Sequence, residues 1–418
     1  IDNDEVFVLH RVKDGENFFF LCNPTNNSFD INIRFLGEHG LERWDLESGD
    51  ISPLHTLRYE GGDTHITLPM PRIGSLMLKL TDKPAYSASD TNLVLTSLEN
   101  GQAQGYGRVE GEATAVVNGQ TKKAPAQANL PAYTPGKQWD IKASTPNALV
   151  VKEWKFLYAK EGVDANSLQT RDLSQEFDMR MGGWAFQLPN ERDEDTYPVD
   201  AWFVADFRTD YLPEDLQLLI DGYKCQAYEL YLNGVKMDET PARSYLDAEI
   251  LSVPFKPLFK GNNRIAIRMT LTSNTGGLLD MIKLVGDFTV GRDEQGEFIA
   301  PPRHTLTYGD WCHQGYPYLA AMVDYSQHIT LPEGFLGQRL VLSADVGDDL
   351  FEVYINGEHA GTRMWQPYEL DITPYVTEAS FALTIRVVNT IANLLEAKGD
   401  PSGLNALYIT PYPVYNLR

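Results

Sequence analysis

Glu229-Leu230-Tyr231-Leu232-Asn233-Gly234 and Glu352-Val353-Tyr354-Ile355-Asn356-Gly357 are one phrase written twice in this chain. Each alternates apolar and polar side chains, the period of two that places one face of a strand in a core. Each closes on Asn-Gly, a pair that tolerates positive φ and so suits a tight hairpin turn. Working outward, Leu212-Pro213-Glu214 recurs as Leu331-Pro332-Glu333, and Leu216-Gln217-Leu218 as Leu340-Val341-Leu342. Ile265, Ile267 and Met269 recur as Leu383, Ile385 and Val387. Four matches in the same order, with spacing that drifts by only a few residues, predict two β-sandwich units of similar build in tandem.

The rest of the 418 residues reads the same way. Short alternating runs are punctuated by Gly, Pro, Asn and Asp, and long helical patterns are scarce, so the fold class is all-β with several sandwich or jelly-roll domains. A small sandwich is expected over 1–85, on the strand-like runs 17–22, 29–35 and 74–80 and the turn chemistry of Asn23-Pro24-Thr25-Asn26-Asn27 and Gly61-Gly62-Asp63. Residues 86–148, poorer in apolar side chains, read as a connector with some β-structure, with 120–138 an extended loop. The first repeat unit is placed at 149–300 and the second at 301–418. The charged, Gly- and Pro-containing stretch 291–302 reads as a linker between them.

Composition narrows the function. The formal charge of −23 and the pI near 4.7 argue against nucleic-acid and anionic-membrane partners, which need a basic face. No apolar run approaches the roughly 20 residues of a membrane-spanning helix. Cys22, Cys225 and Cys312 are odd in number and widely separated, so free, buried thiols are expected, in keeping with a reducing compartment or a bacterial source. The chain opens on Ile1 without a charged-then-apolar leader, an opening expected of a piece whose N-terminal neighbour is missing. Cytoplasmic and secreted locations both stay open.

Sugar-binding sandwiches set aromatic rings against a pyranose and read its hydroxyls with a few polar groups. The second repeat offers Trp311, His313, Gln314, Tyr316 and Tyr318, then Arg363, Trp365, Gln366 and Tyr368. Trp311, His313, Tyr316, Arg363 and Trp365 are the ligand-binding candidates, against the competing reading that the tryptophans only pack. The first repeat offers a sparser set in Arg180, Trp184, Trp202, Asp206 and Arg208. Glycoside hydrolysis needs two carboxylates about 5–10 Å apart. Asp206 with Asp210, or Asp345, Asp348 and Asp349, would serve, but with 58 acidic residues none stands out as catalytic. The Asp345–Asp349 group could also hold Ca²⁺, although it lacks the spacing of an EF-hand loop; a solvated turn is the simpler expectation. No GxSxG, HExxH or phosphate-binding loop occurs, and no cofactor is expected.

The second repeat also resembles a known family. Gln314-Gly315-Tyr316-Pro317-Tyr318, Tyr325, Leu331-Pro332, Val353-Tyr354-Ile355-Asn356-Gly357 and the string Pro367-Tyr368-Glu369-Leu370-Asp371-Ile372-Thr373-Pro374-Tyr375-Val376 are similar to the galactose-binding-like, jelly-roll domain of family 2 glycoside hydrolases. The following Gly-Xaa-Asn of that pattern is replaced by Thr377-Glu378-Ala379-Ser380, whereas the first repeat keeps it as Gly261-Asn262-Asn263. Phe20-Leu21-Cys22-Asn23-Pro24, the segment Leu41 to Gly49, Pro146-Asn147-Ala148-Leu149 with Trp154, and Leu284-Val285-Gly286-Asp287-Phe288 resemble the β-region that follows the barrel of family 106 α-L-rhamnosidases. The resemblance implies the all-β, carbohydrate-binding part of a larger bacterial enzyme whose catalytic barrel lies upstream in the same polypeptide. Its motifs are structural, so it carries no catalytic residue to this chain. Three functions remain open: an accessory region of a glycoside hydrolase, a surface lectin or adhesin module, and a complete glycosidase using carboxylates of this chain.

Overall fold

Both copies of the repeated phrase form strands that end in left-handed turns in a computed structural model of the protein, which describes residues 1–179, 196–237, 241–256 and 258–418. Asn233 and Gly234 have φ of 51° and 80°, and Asn356 and Gly357 have 50° and 84°, the backbone that a two-residue hairpin demands. The strands around them carry the duplication through whole sheets. In the first repeat, Ile282–Gly286, Gln217–Ile220 and Leu251–Pro254 are neighbours in one sheet, and Val199–Thr209, Gly261–Leu271, Ala227–Leu232 and Val235–Lys236 in the other. In the second, Ala406–Tyr412, Arg339–Asp345 and Glu369–Asp371 repeat the first order, and Met322–Thr330, Ser380–Val388, Leu350–Ile355 and Glu358–Arg363 the second.

Alternation then decides which side chains meet. Ala201, Phe203 and Ala205 join Ile265, Ile267, Met269 and Leu271 in the core of the first sandwich. Val323, Tyr325, Val353, Leu383, Ile385 and Val387 do so in the second. Each fully buried aliphatic or aromatic chain of this kind stabilises by roughly 1.5–3 kcal/mol. The outward face of the long strands differs between the copies. In the first repeat Leu157, Trp202, Val204 and Ala266 are buried there as well, under a strap that contains the short helix Ala165–Gln169 and contributes Leu168 and Leu173. Five residues cannot hold a helix in water. Asp164 caps it with a reciprocal Ser167 bond, and Leu168, with no exposed surface, anchors it.

The N-terminal unit pairs a five-stranded sheet with a three-stranded one around Leu21, Ile31, Leu41, Ile66, Met70 and Leu78. The stretch read as a connector is more organised than its composition implied. Ala88–Thr91, Glu112–Val117 and Gln120–Pro125 make one sheet, so the loop expected over 120–138 begins as a strand. Val94–Glu99 and Gln102–Tyr106 pair with Val414–Leu417, so the C-terminal strand closes this unit, and Tyr415 and Leu417 lie in its core. Gln138–Ala143 belongs to the sheet of the second repeat, beside Met322–Thr330. The supposed linker over 291–302 is a hairpin instead: Thr289–Asp293 pairs with Gly296–Ala300, which lies parallel to the end of Val199–Thr209. Its charged residues are the outward half of a two-stranded ribbon, and Gly291 lets the Phe298 ring lie against the backbone, where a Cβ would come within 2.4 Å of it.

Candidate functional site: a groove on the first sandwich

Register places three outward side chains in one row across the first repeat, Trp202 opposite Arg268 and Arg268 opposite Glu229. The next row sets Val204, Ala266, Tyr231 and Lys236 side by side. Between this face and the strap lies a groove of about 500 Å³ lined by Trp202, Tyr231, Arg268, Asp200, Lys236, Asn166 and residues 159–161 and 163–165. The hairpin turn closes one end: a Cβ on Gly234 would meet Asn166 Oδ1 and Gln169 Cγ, each at 3.1 Å, so the turn abuts the strap helix.

The polar groups hold one another in place. Arg268 Nη2 donates to Asp200 Oδ2 at 2.7 Å, and the Thr270 hydroxyl donates to Oδ1 at 2.7 Å. The Thr270 hydroxyl first, then Arg268, keep the Asp200 carboxyl below its ordinary range against the effect of burial. Lys236 Nζ donates to Glu229 Oε1 at 2.6 Å and Tyr231 Oη donates to Oε2 at 3.0 Å; Lys236 and Tyr231 together hold Glu229 ionised. The Tyr231 and Trp202 rings lie 5.5 Å apart and tilted by 56°. The result is the partly exposed Tyr231 ring flanked by fixed ion pairs whose outer atoms face solvent, with Trp202, 2% exposed, packed beneath it; the Arg268 and Lys236 side chains are 43% and 48% exposed. Such a surface offers donors and acceptors in pairs, the pattern that adjacent hydroxyls require.

The second repeat supplies an internal comparison. Its matching row is Asp324, Arg386 and Glu352, and its matching aromatic is Tyr354 beside His359. Glu, Tyr and Arg are kept; Trp202 is replaced by Asp324. Asp324 sits directly opposite the guanidinium and takes bonds from Nε at 2.7 Å and Nη2 at 3.1 Å. Nη1 reaches Tyr354 Oη at 3.0 Å and Glu352 at 3.4 Å, and the guanidinium lies 5.0 Å from the Tyr354 ring centre. Every arm of Arg386 is engaged, and the His359 ring lies 5.2 Å from that of Tyr354. The first repeat is open where the second is sealed.

The residues singled out from sequence are dispersed. Trp311 has no exposed surface and Tyr316 retains 6%, its hydroxyl donating to Arg303 O, so both pack. Tyr318 is likewise buried, bonded to Glu297, and Tyr368 donates to Asp349 O. Gln314 pins the backbone of Thr307. His313 stands in solvent against Asp310, and Trp365 is 38% exposed. Arg363 joins domains: its Nη1 reaches Glu47 of the N-terminal sandwich at 3.0 Å, and Glu47 also accepts from the Met364 N–H. In the first repeat Asp206 is held by Arg264, and Arg208 pairs with Asp293 while lying over Phe298. Of that set, Trp202 alone lines the groove; Arg180 and Trp184 fall outside the described residues. Asp200, Glu229, Tyr231, Lys236 and Arg268 were not singled out. The signal for three of them was the repeat itself, which keeps Glu, Tyr and Arg at outward positions where strands usually drift.

The Asp345–Asp349 segment is only partly the solvated turn expected. Asp349 is 8% exposed, its Oδ2 accepts from the Gly403 N–H at 3.3 Å, and burial raises its carboxyl to about 7. Nearby, burial works against Asp310, yet the N–H groups of Cys312 and Ser402 and the His313 ring keep it ionised. Tyr325, buried, feels both carboxylates, and its hydroxyl faces the Leu404 backbone. Among the described residues no three His, Cys, Asp or Glu side chains converge as metal ligands. Cys22, Cys225 and Cys312 are free and half-buried.

No protein-family model matches the sequence. Solved structures similar to the chain include a rhamnosidase from Novosphingobium sp. PP1Y, at 14% identity and TM-score 0.22 over 67% of this chain and 24% of that one. They include a family 2 β-galacturonidase from Eisenbergiella tayi, at 11% and 0.24 over 59% and 37%. A β-glucuronidase from Ruminococcus gnavus matches at 12% and 0.26 over 62% and 41%. These neighbours are glycoside hydrolases, and this chain spans well under half the length of each. Scores and identities this low assign neither activity nor ligand.

Proposed function

We propose that this chain is an accessory, carbohydrate-binding β-sandwich region of a glycoside hydrolase, with the bond-breaking carboxylates in a catalytic domain of the same polypeptide upstream. The groove over Trp202 carries the reading. It combines the Tyr231 ring with ion pairs that present donors and acceptors together, and the carboxylates of Asp200 and Glu229 are each committed to a cation and a hydroxyl rather than poised for proton transfer. The sequence motifs shared with family 2 and family 106 enzymes support the parent's class; the rhamnosidase-like assignment is a proposal on those motifs. The test is titration of the whole chain with mono- and oligosaccharides, L-rhamnose included, alongside a panel of aryl glycosides. Saturable binding without turnover, lost in Arg268→Gln, is the expected result. Turnover by the chain alone, abolished by one Asp or Glu substitution, would overturn it.

A second reading has one observation of its own. Asp349, raised to about 7, and Asp310, held ionised, are two carboxyl groups whose surroundings drive them apart, the division of labour seen in acid–base pairs. Loss of aryl-glycoside turnover in Asp349→Asn, with folding intact, would establish it. Asp349 is packed beneath Tyr368 and the 402–403 backbone with little room for a glycosidic oxygen, so the groove remains the better site.

A further inference from the structure

The geometry points to a saccharide site that exists in only one of the two duplicated sandwiches, and that takes an uncharged sugar in preference to a uronate. This deepens the glycan-binding reading above and rests on it. Two observations carry it. The first is the row-by-row comparison: a ligand hydroxyl pair needs a guanidinium with free edges beside an aromatic ring. Arg268 has this because its carboxylate, Asp200, lies one row away and Trp202 fills the place opposite it. In the second repeat Asp324 occupies that place and takes two bonds from Arg386. The second repeat has Asp324 in place of Trp202 and Met322 with Val388 in place of Asp200 with Thr270, so its arginine is locked by a carboxylate in its own row.

The second observation is charge. The groove is lined by three basic side chains (Lys160, Lys236, Arg268) and three acidic ones (Glu161, Asp164, Asp200). Lys236 and Arg268 are already paired with Glu229 and Asp200, and Lys160 adjoins Glu161. A sugar carboxylate entering here would compete with Glu229 and Asp200 for Lys236 and Arg268, with further acidic groups in the same groove and a chain of net charge −23 around it, so its desolvation would be poorly compensated. A neutral pyranose meets no such cost. Its ring can lie along the Tyr231 edge while adjacent hydroxyls bridge a guanidinium N–H and a carboxylate oxygen, each already oriented.

The experiment is an NMR or calorimetric titration of the full chain with matched pairs, methyl glucoside against glucuronate and methyl galactoside against galacturonate, at about 20 and 500 mM NaCl. Arg268→Gln and the control Arg386→Gln are measured beside it, with circular dichroism to confirm folding. Neutral sugars are expected to bind in the millimolar range with little salt dependence, and uronates at least about tenfold more weakly. Arg268→Gln should lose about tenfold and Arg386→Gln nothing. Uronates binding as tightly as neutral sugars would overturn the charge preference while leaving the groove intact. Equal losses in the two arginine variants would overturn the assignment to one repeat. Failure of every sugar to bind would remove the glycan-binding reading itself, and this inference with it.

Discussion

Asp349 shows what one position can do to the molecule. Its carboxyl is raised by burial, with Asp310 and Asp348 adding repulsion and the Gly403 N–H and Ser402 opposing it. A carboxyl raised in the fold supplies its stabilisation below the ordinary carboxylate range, where it is protonated in both states. That contribution is lost as pH climbs through about 7, because the folded state must then carry a buried charge. Asp349→Asn should therefore raise the melting temperature at about pH 8 by several degrees and leave it nearly unchanged at about pH 4. Thermal melts of both proteins across that range check it; a uniform shift at all pH values would mean Asp349 acts through packing alone. The rise of this carboxyl was invisible in the sequence, where Gly347-Asp348-Asp349 reads as a solvent turn. Burial depends on the 402–405 segment returning over it from far along the chain.

At the scale of the element, the strap over the first sandwich is held by a few apolar contacts rather than by its own helix. Leu168 is fully buried against Trp202, Val204 and Ala266, with Ala165 and Leu173 beside it. Leu168→Ala should cost roughly 2–5 kcal/mol of local stability and open residues 159–173 to hydrogen exchange, with the second repeat unaffected. Sugar affinity should fall with it, since the strap forms one wall of the groove. Exchange mass spectrometry with the sugar titration tests both, and unchanged protection of the strap would show that Leu168 is not its anchor. Strands were legible at this scale because alternation survives in each: the inward set of Gly261–Leu271 is the Ile265, Ile267, Met269 series that announced the repeat. The strap was not legible, since its short helix has no periodic run to betray it.

Across the whole molecule, contacts distant in sequence bind the units together. The C-terminal strand Val414–Leu417 completes the sheet of Val94–Glu99 and Gln102–Tyr106, and the Tyr415 hydroxyl accepts from the Gln127 N–H at 3.2 Å. Truncation after Pro413 should therefore unfold residues 88–125 while both repeats stay folded, visible as new proteolytic cuts in that range. Cuts confined to the C-terminus would contradict it. Glu47 and Arg363, whose side chains are 8% and 15% exposed, bridge the N-terminal sandwich and the second repeat. Glu47→Ala leaves Arg363 only the carbonyls of Glu369 and Thr362 and a poorly solvated charge, a loss of about 3 kcal/mol or more in comparable buried pairs. Faster proteolysis between the N-terminal unit and the rest, with the groove's sugar affinity unchanged, is the expected outcome; an unaltered cleavage rate would assign the junction to other contacts.

The chain by itself determined its fold class, its duplication and the side of each long strand that faces a core, because these follow from alternation and from turn residues that act locally. Two neighbouring sandwiches were therefore readable from Glu229–Gly234 and Glu352–Gly357 alone. Only the tertiary structure decided which loops pack and which stay open. Trp311 and Tyr316 are as aromatic as any binding residue and lie in a core, whereas Tyr231 borders a groove beside an arginine from another strand. Register and the strap's return path set that difference, and both depend on pairings between segments that the local pattern does not encode.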